Sequence, residues 1–145
     1  MNTDLTKHAP RSPKEALGGI VSLPRFIDKV RALNEGTLGE YISGLNSAVD
    51  KNLLSFLGIS YDDIKAEILK TDSDTELLNW ISNHGTAHTP EEIKMWSENF
   101  SHLLAKNDPD RQNYIGIVLQ KMNLDPETTT TFDWIEADDK ATFNK

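Results

Sequence analysis

Cysteine is absent from this sequence of 145 residues. Without a thiol, the chain can form no disulfide, carry no thiolate nucleophile and bind no zinc through sulfur. The absence leaves the redox compartment open, because a protein without cysteine is compatible with any compartment. Any chemistry of this protein therefore depends on its other side chains.

Basic residues are also in short supply. Lys and Arg together number 15 against 23 Asp and Glu, which gives a formal net charge of -8 at pH 7. A field of that sign repels the phosphate backbone of DNA or RNA at long range. We therefore expect no nucleic-acid partner.

Long apolar runs are missing as well. A transmembrane helix needs about 20 consecutive apolar residues, and no segment of the sequence approaches that length. The N-terminal stretch MNTDLTKHAPRSPKEALGG lacks the continuous apolar segment of a secretory signal. We expect no membrane association and a cytoplasmic location.

The sequence carries none of the common catalytic signatures. It has no G-x-S-x-G elbow, Walker loop, H-E-x-x-H pair or dinucleotide fingerprint. His84 and His88 have the spacing of a helical metal pair, but Gly85 lies between them and Thr89-Pro90 begins another helix. We interpret both as loop histidines, and we assign no metal, no cofactor and no reaction class from motifs.

What is present has the composition of a folded domain. Hydrophobic residues make up 37% of the chain and charged residues 26%, near the averages for globular proteins. A chain of this length can bury one core. Because Pro10 and Pro13 interrupt regular structure early in the chain, we predict an N-terminal arm over residues 1–18. A single helical domain over 19–139 and a polar tail over 140–145 complete the organisation.

Helix start and stop signals recur along the domain. Capping hydroxyls or carboxylates, prolines in first turns and glycines after last turns delimit short amphipathic segments. The predicted helices run from Leu23 to a stop at Gly36, from about Asp50 to Leu57, from Tyr61 to about Leu69, through LLNWISN after a Ser73 cap, from Pro90 through Leu104, and from Pro109 to about Asn123. The sequence therefore predicts an all-α, single compact domain of about six helices with short capped loops.

The C-terminal segment is ambiguous. Phe132, Trp134 and Ile135 give it the apolar content of a short helix, whereas the threonines at 128–131 favour extended backbone. The segment is expected to be a short helix or to start as strand or coil. Trp134, like Trp80 and Trp96, is assigned to the core rather than to an aromatic ligand pocket.

The first helix has two distinct faces. Its apolar stripe recurs at helical spacing and must be buried; the stripe comprises Leu23, Phe26, Ile27, Val30 and Leu33. The charged residues occupy the other side: Arg25, Asp28, Lys29 and Arg31. Asp28 is three residues from each arginine, so we predict exposed pairs on a solvated face, each worth only about 0.2 to 0.5 kcal/mol.

A turn with two glycines follows this helix. Gly36 and Gly39 permit unusual dihedrals and close backbone approach, as ligand loops often require, and Glu40 and Tyr41 come directly after them. A helix stop followed by an ordinary turn explains the same residues. Together with the charged face, these four positions form the candidate ligand-binding site.

The sequence resembles a known family. The segments LPRFIDKVRA, GTLGEY, DKNLLSFLGIS, TPEEIKMWS and TTFDWIEADD are similar to those of the bacterial domain-of-unknown-function family numbered 5069, from about Arg11 to Asp139. The resemblance implies a single compact domain of bacterial origin and supplies no catalytic residue or substrate class. The matching motif positions are Pro24, Arg25, Asp28, Lys29, Arg31, Gly36, Gly39, Glu40 and Tyr41. The family's cysteine-proline turn is replaced here by ISGLN, residues 42–46.

Three functional interpretations stay open at this level. The first is a binding or regulatory module for a protein partner or a small anionic metabolite, in which Arg25, Lys29 and Arg31 supply charge-assisted hydrogen bonds. The second is a small enzyme acting on a phosphorylated or carboxylated metabolite, with Glu40 or Asp28 as general base. In the third, Arg25 and Asp28 belong to an internal salt-bridge network that serves folding alone.

Overall fold

Helix α1, Leu23–Glu35, lies at the centre of the fold. The computed structural model describes residues 4–108 and 115–143. Pro24 occupies the first turn of α1, where its missing N–H costs no helical hydrogen bond. The helix ends at Gly36, whose φ of 73° is left-handed and suits glycine. All residues from 20 to 32 are buried, so neighbouring elements cover the first ten residues of α1 on every side.

Short helices surround α1 in chain order. The elements are β1 Ala16–Leu17, β2 Ile20–Val21, α2 Ala48–Leu57, α3 Tyr61–Ile68, α4 Asp74–His84, α5 Pro90–Ser101, a 3-10 turn Ala105–Asn107, α6 Ile115–Lys121 and α7 Thr131–Phe143. The two strands pair antiparallel, with Ala16 opposite Val21. Within the described ranges these two-residue strands form the whole sheet, and the prediction of a compact, mostly helical domain is confirmed.

The core consists mainly of one apolar cluster between α1 and helices α2, α3 and α4. Its members are Ile20, Leu23, Phe26, Ile27, Val30, Leu53, Leu54, Leu57, Ile59, Ile64, Ile68, Leu77 and Ile81. A second cluster attaches α7 to α5 and to the start of α2, through Phe132, Phe100 and Val49. Helix α7 therefore packs beside the beginning of α2, an arrangement that forms the cleft described below.

Several predicted helix starts are confirmed by their caps. The hydroxyls of Ser60, Ser73 and Thr89 each accept a hydrogen bond from the backbone N–H three residues later. At Thr89 the capping is reciprocal, since Glu92 accepts from the Thr89 N–H at 3.0 Å. Such caps typically contribute about 1 kcal/mol each, which explains why these boundaries could be read from the sequence.

Three details of the predicted helices are wrong. Helix α5 ends at Ser101, whereas the prediction continues it to Leu104, which is extended and bridges to Thr130. Helix α2 begins at Ala48 with Ser47 as its cap, whereas Asp50, the predicted cap, is buried inside the first turn. Leu33, assigned to the buried stripe of α1, is 39% exposed because the last turn of the helix extends beyond the core. The predicted start of the sixth helix at Pro109 lies outside the described residues.

The ambiguous C-terminal segment combines both expected conformations. Thr130 forms an antiparallel bridge with Leu104, and α7 starts at the next residue. The Thr130 hydroxyl accepts from the Asp133 N–H at 3.0 Å, and the Asp133 carboxylate accepts from the Thr130 N–H at 3.2 Å. The segment is thus extended where threonine is abundant and helical beyond. Helix α7 continues to Phe143, into the predicted tail.

The N-terminal segment packs on the helices. Leu5, Pro10 and Pro13 are buried, and Lys14 makes ion pairs with two carboxylates of α7. Residues of the predicted arm therefore connect α1 and α7. In the described part of the chain, no helix has the length and apolarity needed to cross a bilayer.

Candidate functional site

The connection between α1 and α2 forms one wall of an open cleft, and α7 forms the other. The cleft has a volume of about 470 Å³, within the range typical of ligand pockets. The residues that line it are Arg25, Lys29, Glu40, Tyr41, Ile42, Leu45, Asn46, Ser47, Ala48, Val49, Lys51, Trp134, Ile135 and Asp138. We call residues 40–47 the cleft loop. Four predicted site residues, Arg25, Lys29, Glu40 and Tyr41, come together here.

The charged side of α1 is buried, so the prediction of a solvated face is wrong. Arg25, Asp28, Lys29 and Arg31 are exposed by only 6%, 5%, 4% and 8%. Buried charges are costly unless each has a partner. The function of these side chains therefore depends on the groups that neutralise them.

Three ion pairs connect α1 and its neighbourhood to distant parts of the chain. We call them the ion-pair ladder: Arg11–Asp28 at 3.0 Å, Arg25–Asp139 at 2.8 Å and Lys29–Asp50 at 2.9 Å. The predicted pairs between Asp28 and the arginines of its own helix are wrong, because Asp28 faces the N-terminal segment and pairs there with Arg11. Spacing along one helix could not reveal partners supplied by other elements.

All three hydrogens of the Lys29 ammonium group have acceptors inside the protein. Its Nζ lies 2.9 Å from Asp50 Oδ1, 2.9 Å from the Ile42 carbonyl oxygen and 3.4 Å from Ser47 Oγ. An ammonium group has three hydrogens, so these acceptors occupy all of them. Burial lowers the pKa of Lys29 and raises that of Asp50, while the attraction between the two charges opposes both shifts.

Arg25 and Tyr41 share the carboxylate of Asp139. The guanidinium donates two hydrogen bonds to it, at 2.8 and 3.2 Å, in the bidentate geometry that arginine favours. The Tyr41 hydroxyl donates a third at 2.9 Å, and the guanidinium carbon lies 5.4 Å from the centre of the Tyr41 ring. Burial and the negative charge of Asp139 raise the pKa of Tyr41, so its hydroxyl stays a neutral donor.

The same buried groups fix the backbone of the cleft loop. Lys29 binds the Ile42 carbonyl, and Asp50 accepts from the Gly44 N–H at 2.9 Å. Between these two points, the Ser43 hydroxyl lies 2.8 Å from the hydroxyl of Tyr61 on α3. The loop is therefore held by polar contacts along its length.

Two large aliphatic side chains of this fixed loop face solvent. Ile42 is 54% exposed and Leu45 is 65% exposed, and both line the cleft. Gly44 lies between them with a φ of 98°, and a Cβ at that position would be 3.2 Å from the Tyr61 ring. Glycine suits this position because L side chains rarely adopt such a φ and because a Cβ would press against the ring.

The other predicted site residues lie away from the cleft. Arg31 donates to the Thr71 carbonyl at 3.1 Å, and Asp28 faces Arg11. Gly36 ends α1, and a Cβ on Gly39 would lie 2.9 Å from the Leu5 carbonyl oxygen. The two glycines thus serve the turn and its contact with the N-terminal segment.

The sequence did not identify Asp50 and Asp139 as the partners of the buried cations, nor Ile42 and Leu45 as exposed residues of the cleft. The predicted cap Asp50 is instead the partner of Lys29, and nothing local to Asp139 marks it as the partner of a residue 114 positions away. The exposed pair had a visible signal, since Ile42 and Leu45 flank Ser43-Gly44, which is turn composition rather than core composition.

His84 is the last residue of α4, so its prediction as a loop residue is wrong, whereas His88 lies in the loop before α5. His88 Nε2 lies 2.6 Å from the Phe56 carbonyl oxygen, and its ring stacks on that of Phe56 at 3.9 Å. His84 stacks on Trp80 at 4.5 Å. Across residues 4–108 and 115–143, no group of three or more His, Asp or Glu has the arrangement of a metal site.

Comparison with known proteins agrees with the resemblance noted from the motifs. No curated protein matches the sequence. Residues 7–141 match a family model, so the match spans nearly the whole chain, including the ion-pair ladder and the cleft. The chain therefore belongs to the family described as Domain of unknown function (DUF5069).

Proposed function

We propose that this protein is a binding module that holds an apolar side chain of a protein partner in the cleft between the cleft loop and α7. The observation that carries the proposal is the exposure of Ile42 and Leu45 on a loop fixed by buried polar groups. Exposed aliphatic side chains beside a concave surface are typical of interaction sites.

Preorganisation favours binding at this loop. A mobile loop loses conformational entropy when it binds, at a cost of about 0.5 to 1.5 kcal/mol for each immobilised side chain and more for backbone. The contacts from Lys29, Asp50 and Tyr61 restrain the cleft loop before any partner arrives. Its exposed aliphatic groups can therefore be buried with little further ordering.

Arg25 and Lys29 are already paired inside the protein, which favours a protein partner over a small anionic metabolite. Arg25 donates to Asp139 and to the Arg11 carbonyl, and Lys29 has used its three hydrogens. A phosphate or carboxylate would have to compete with the buried carboxylates for two cations that are already neutralised and exposed by only 6% and 4%, and its burial there would carry a large desolvation cost. In this proposal, Arg25 and Lys29 support the loop instead of contacting the ligand.

Site-specific photo-crosslinking tests the proposal. A photoreactive residue replaces Leu45 in one variant and Met95 in the other; these side chains are 65% and 64% exposed, and Met95 lies on α5 away from the cleft. In extract of the source organism, we expect a discrete adduct from position 45 alone. The adducted protein, once purified, should bind the unmodified chain and lose about tenfold or more in affinity against Leu45→Ser.

Two results would overturn the proposal. One is the same set of adducts from positions 45 and 95, which would indicate random collision. The other is an unchanged affinity of the purified partner for Leu45→Ser and Ile42→Ser, which would move the interface elsewhere.

A further inference from the structure

The cleft has on its own wall the kind of apolar group that it is proposed to receive. Ile42 and Leu45 line the cleft, and each is more than half exposed to solvent. The cleft has a volume of about 470 Å³, which exceeds that of one aliphatic side chain. One surface of the molecule thus provides both a recess and an apolar residue that fits such a recess on another molecule.

Two surfaces of this kind can fill each other in a symmetric dimer. In a dimer with twofold symmetry, the same patch of each copy contacts the other, so every contact between two different residues occurs twice. If Leu45 of one copy enters the cleft of the second, symmetry places Leu45 of the second in the cleft of the first. A single interface then removes both aliphatic pairs from water.

The available charges at the cleft are also self-complementary. Glu40 and Lys51 line the cleft and are exposed, and no ion pair or side-chain hydrogen bond joins either of them to another residue in the described part of the chain. Asp138, the other exposed charge of the lining, already has an interaction within the chain. One acidic and one basic group are therefore available to a partner, and their charges cancel.

These two charges lie in different parts of the cleft rim. Glu40 also lines a neighbouring cavity on the side of Leu5 and Phe143, whereas Lys51 belongs to α2 and does not line that cavity. A twofold axis that passes through the aliphatic pair exchanges the two parts of the rim, so Glu40 of each copy faces Lys51 of the other. Opposite charges at these positions favour the dimer and fix the relative orientation of its two copies.

Resting on the proposed function, we propose that the partner is a second copy of this chain, with Leu45 of each copy in the cleft of the other and Glu40 opposite Lys51. The net charge of -8 on each copy opposes association at long range. The Debye length is only about 8 Å at physiological ionic strength, so the close contacts dominate. Small interfaces are typical of weak association, and we expect a dissociation constant of about 10 to 500 μM.

Sedimentation equilibrium of the purified full chain tests the apolar contact. At pH 7 and about 0.15 M salt, Leu45→Ser should raise the dissociation constant of the dimer about tenfold or more, because each dimer loses two buried side chains. The control is Met95→Ser, which removes an equally exposed apolar side chain from α5, away from the cleft. It should dimerise as the wild type does.

Charge exchange tests the pairing of Glu40 with Lys51. Glu40→Lys alone places like charges at both contacts of the symmetric dimer, and so does Lys51→Glu alone, so each should weaken the dimer about tenfold or more. An equimolar mixture of the two variants restores opposite charges at both contacts of the mixed dimer. Its dissociation constant should return to within about threefold of the wild-type value.

A matched pair of variants controls for the change in net charge. Glu98→Lys and Lys94→Glu make the same two charge changes at exposed positions of α5 that do not line the cleft. Each should dimerise alone with a dissociation constant within about threefold of the wild-type value. Equal weakening of the dimer by these variants and by those at Glu40 and Lys51 would attribute the effect to net charge and contradict the inference.

The outcomes separate failure of the inference from failure of the proposed function. A wild-type chain that stays monomeric at about 1 mM overturns the inference. A dimer that is unaffected by Leu45→Ser overturns it too, as does a mixture of Glu40→Lys and Lys51→Glu that binds no better than either variant alone. The proposed function still stands if the photoreactive residue at position 45 captures a different protein whose affinity falls for Leu45→Ser. Both fail if position 45 gives no discrete adduct in extract or with the purified chain.

Discussion

Lys29 Nζ donates a hydrogen bond of 2.9 Å to the carbonyl oxygen of Ile42, which joins a buried cation of α1 to an exposed apolar residue of the cleft loop. Lys29 is 4% exposed, whereas Ile42 is 54% exposed. The ammonium group therefore links the interior of the fold to the surface that we propose for binding. Loss of this cation should affect both stability and the shape of the loop.

Replacement of Lys29 by methionine should strongly destabilise the protein. The change leaves the Asp50 carboxylate buried without its counter-ion, and breaking a buried pair in this way typically costs about 3 to 5 kcal/mol. Urea denaturation at pH 7 measures the loss. The control is Lys51→Met, which removes the same charged group from an exposed position of α2 and should cost less than about 1 kcal/mol.

The same variant should respond to pH with a defined sign. Burial raises the pKa of Asp50, and Lys29 opposes that shift, so Lys29→Met raises the folded-state pKa further above the unfolded value. The folded variant then binds more protons than the unfolded chain above about pH 4. Its free energy of unfolding should fall as pH rises from about 4 towards 7, and Lys29→Met/Asp50→Asn should lack this slope. An identical slope in both variants would assign the effect to another group.

Arg25→Ala and Tyr41→Phe should differ in cost although both residues bind Asp139. Removal of Arg25 leaves a buried carboxylate without its cation and should cost about 3 to 5 kcal/mol. Removal of the Tyr41 hydroxyl leaves the Arg25–Asp139 pair in place and should cost about 0.5 to 1.5 kcal/mol. Thermal and urea unfolding of the two variants measure the difference. Near-wild-type stability of Arg25→Ala would mean that the pair is not buried in solution.

The helix boundaries could be predicted because their causes are local. The caps at Ser60, Ser73 and Thr89 act over three residues, and the sequence displays both partners of each cap. The two-residue strands were not predicted, because so short a pairing has no alternating pattern to reveal it. Helix boundaries that depend on local caps can therefore be predicted from the sequence, whereas the pairing of two very short strands cannot.

The candidate site was only partly predictable because its partners are distant in sequence. Arg25 and Tyr41 were both singled out, but Asp139, which joins them, lies 114 positions after Arg25 and 98 after Tyr41. An amphipathic pattern also assumes that a charged face is solvated, and α1 violates that assumption because other elements supply counter-charges to it. Charged residues on a central helix therefore need tertiary partners before a role can be assigned.

The contact between the N-terminal segment and α7 should make stability depend on acidic pH. Hydrogen bonds from Lys14 lower the pKa of Asp133, and hydrogen bonds from Lys14 and Ser12 outweigh the effect of burial and lower that of Glu136. A carboxylate with a depressed folded-state pKa stabilises the protein above its unfolded pKa, and that stabilisation is lost as pH falls through the folded value.

The variant Lys14→Gln isolates this contribution. Below about pH 4 the unfolded carboxylates bind protons first, so wild-type stability should decline there more steeply than that of Lys14→Gln. Lys14 and Asp133 are both more than a third exposed, so the difference at pH 7 should stay below about 1 kcal/mol. Urea midpoints measured between pH 3 and 7 provide the check. If the midpoints of the two proteins fell in parallel, the contact of Lys14 would not be the cause of the pH dependence.

Gly44→Ala should destabilise the protein more than Gly36→Ala, although both glycines have positive φ. At Gly36, with φ of 73°, a Cβ would meet no atom within 4 Å, so the cost is that of the left-handed backbone, about 1 to 2 kcal/mol. At Gly44, with φ of 98°, the Cβ would also lie 3.2 Å from the Tyr61 ring. That ring carries the hydroxyl that binds Ser43, so relief of the clash moves the cleft loop itself.

The two alanine variants therefore separate backbone strain from loop displacement. Both should lower the urea midpoint, but only Gly44→Ala should change the amide chemical shifts of residues 41–47 and weaken binding of the purified crosslinked partner. Gly36→Ala should bind the partner as the wild type does, because its strain is confined to the end of α1. If Gly44→Ala bound the partner with unchanged affinity, a fixed loop conformation would not be required for recognition, and preorganisation of the loop would not contribute to binding.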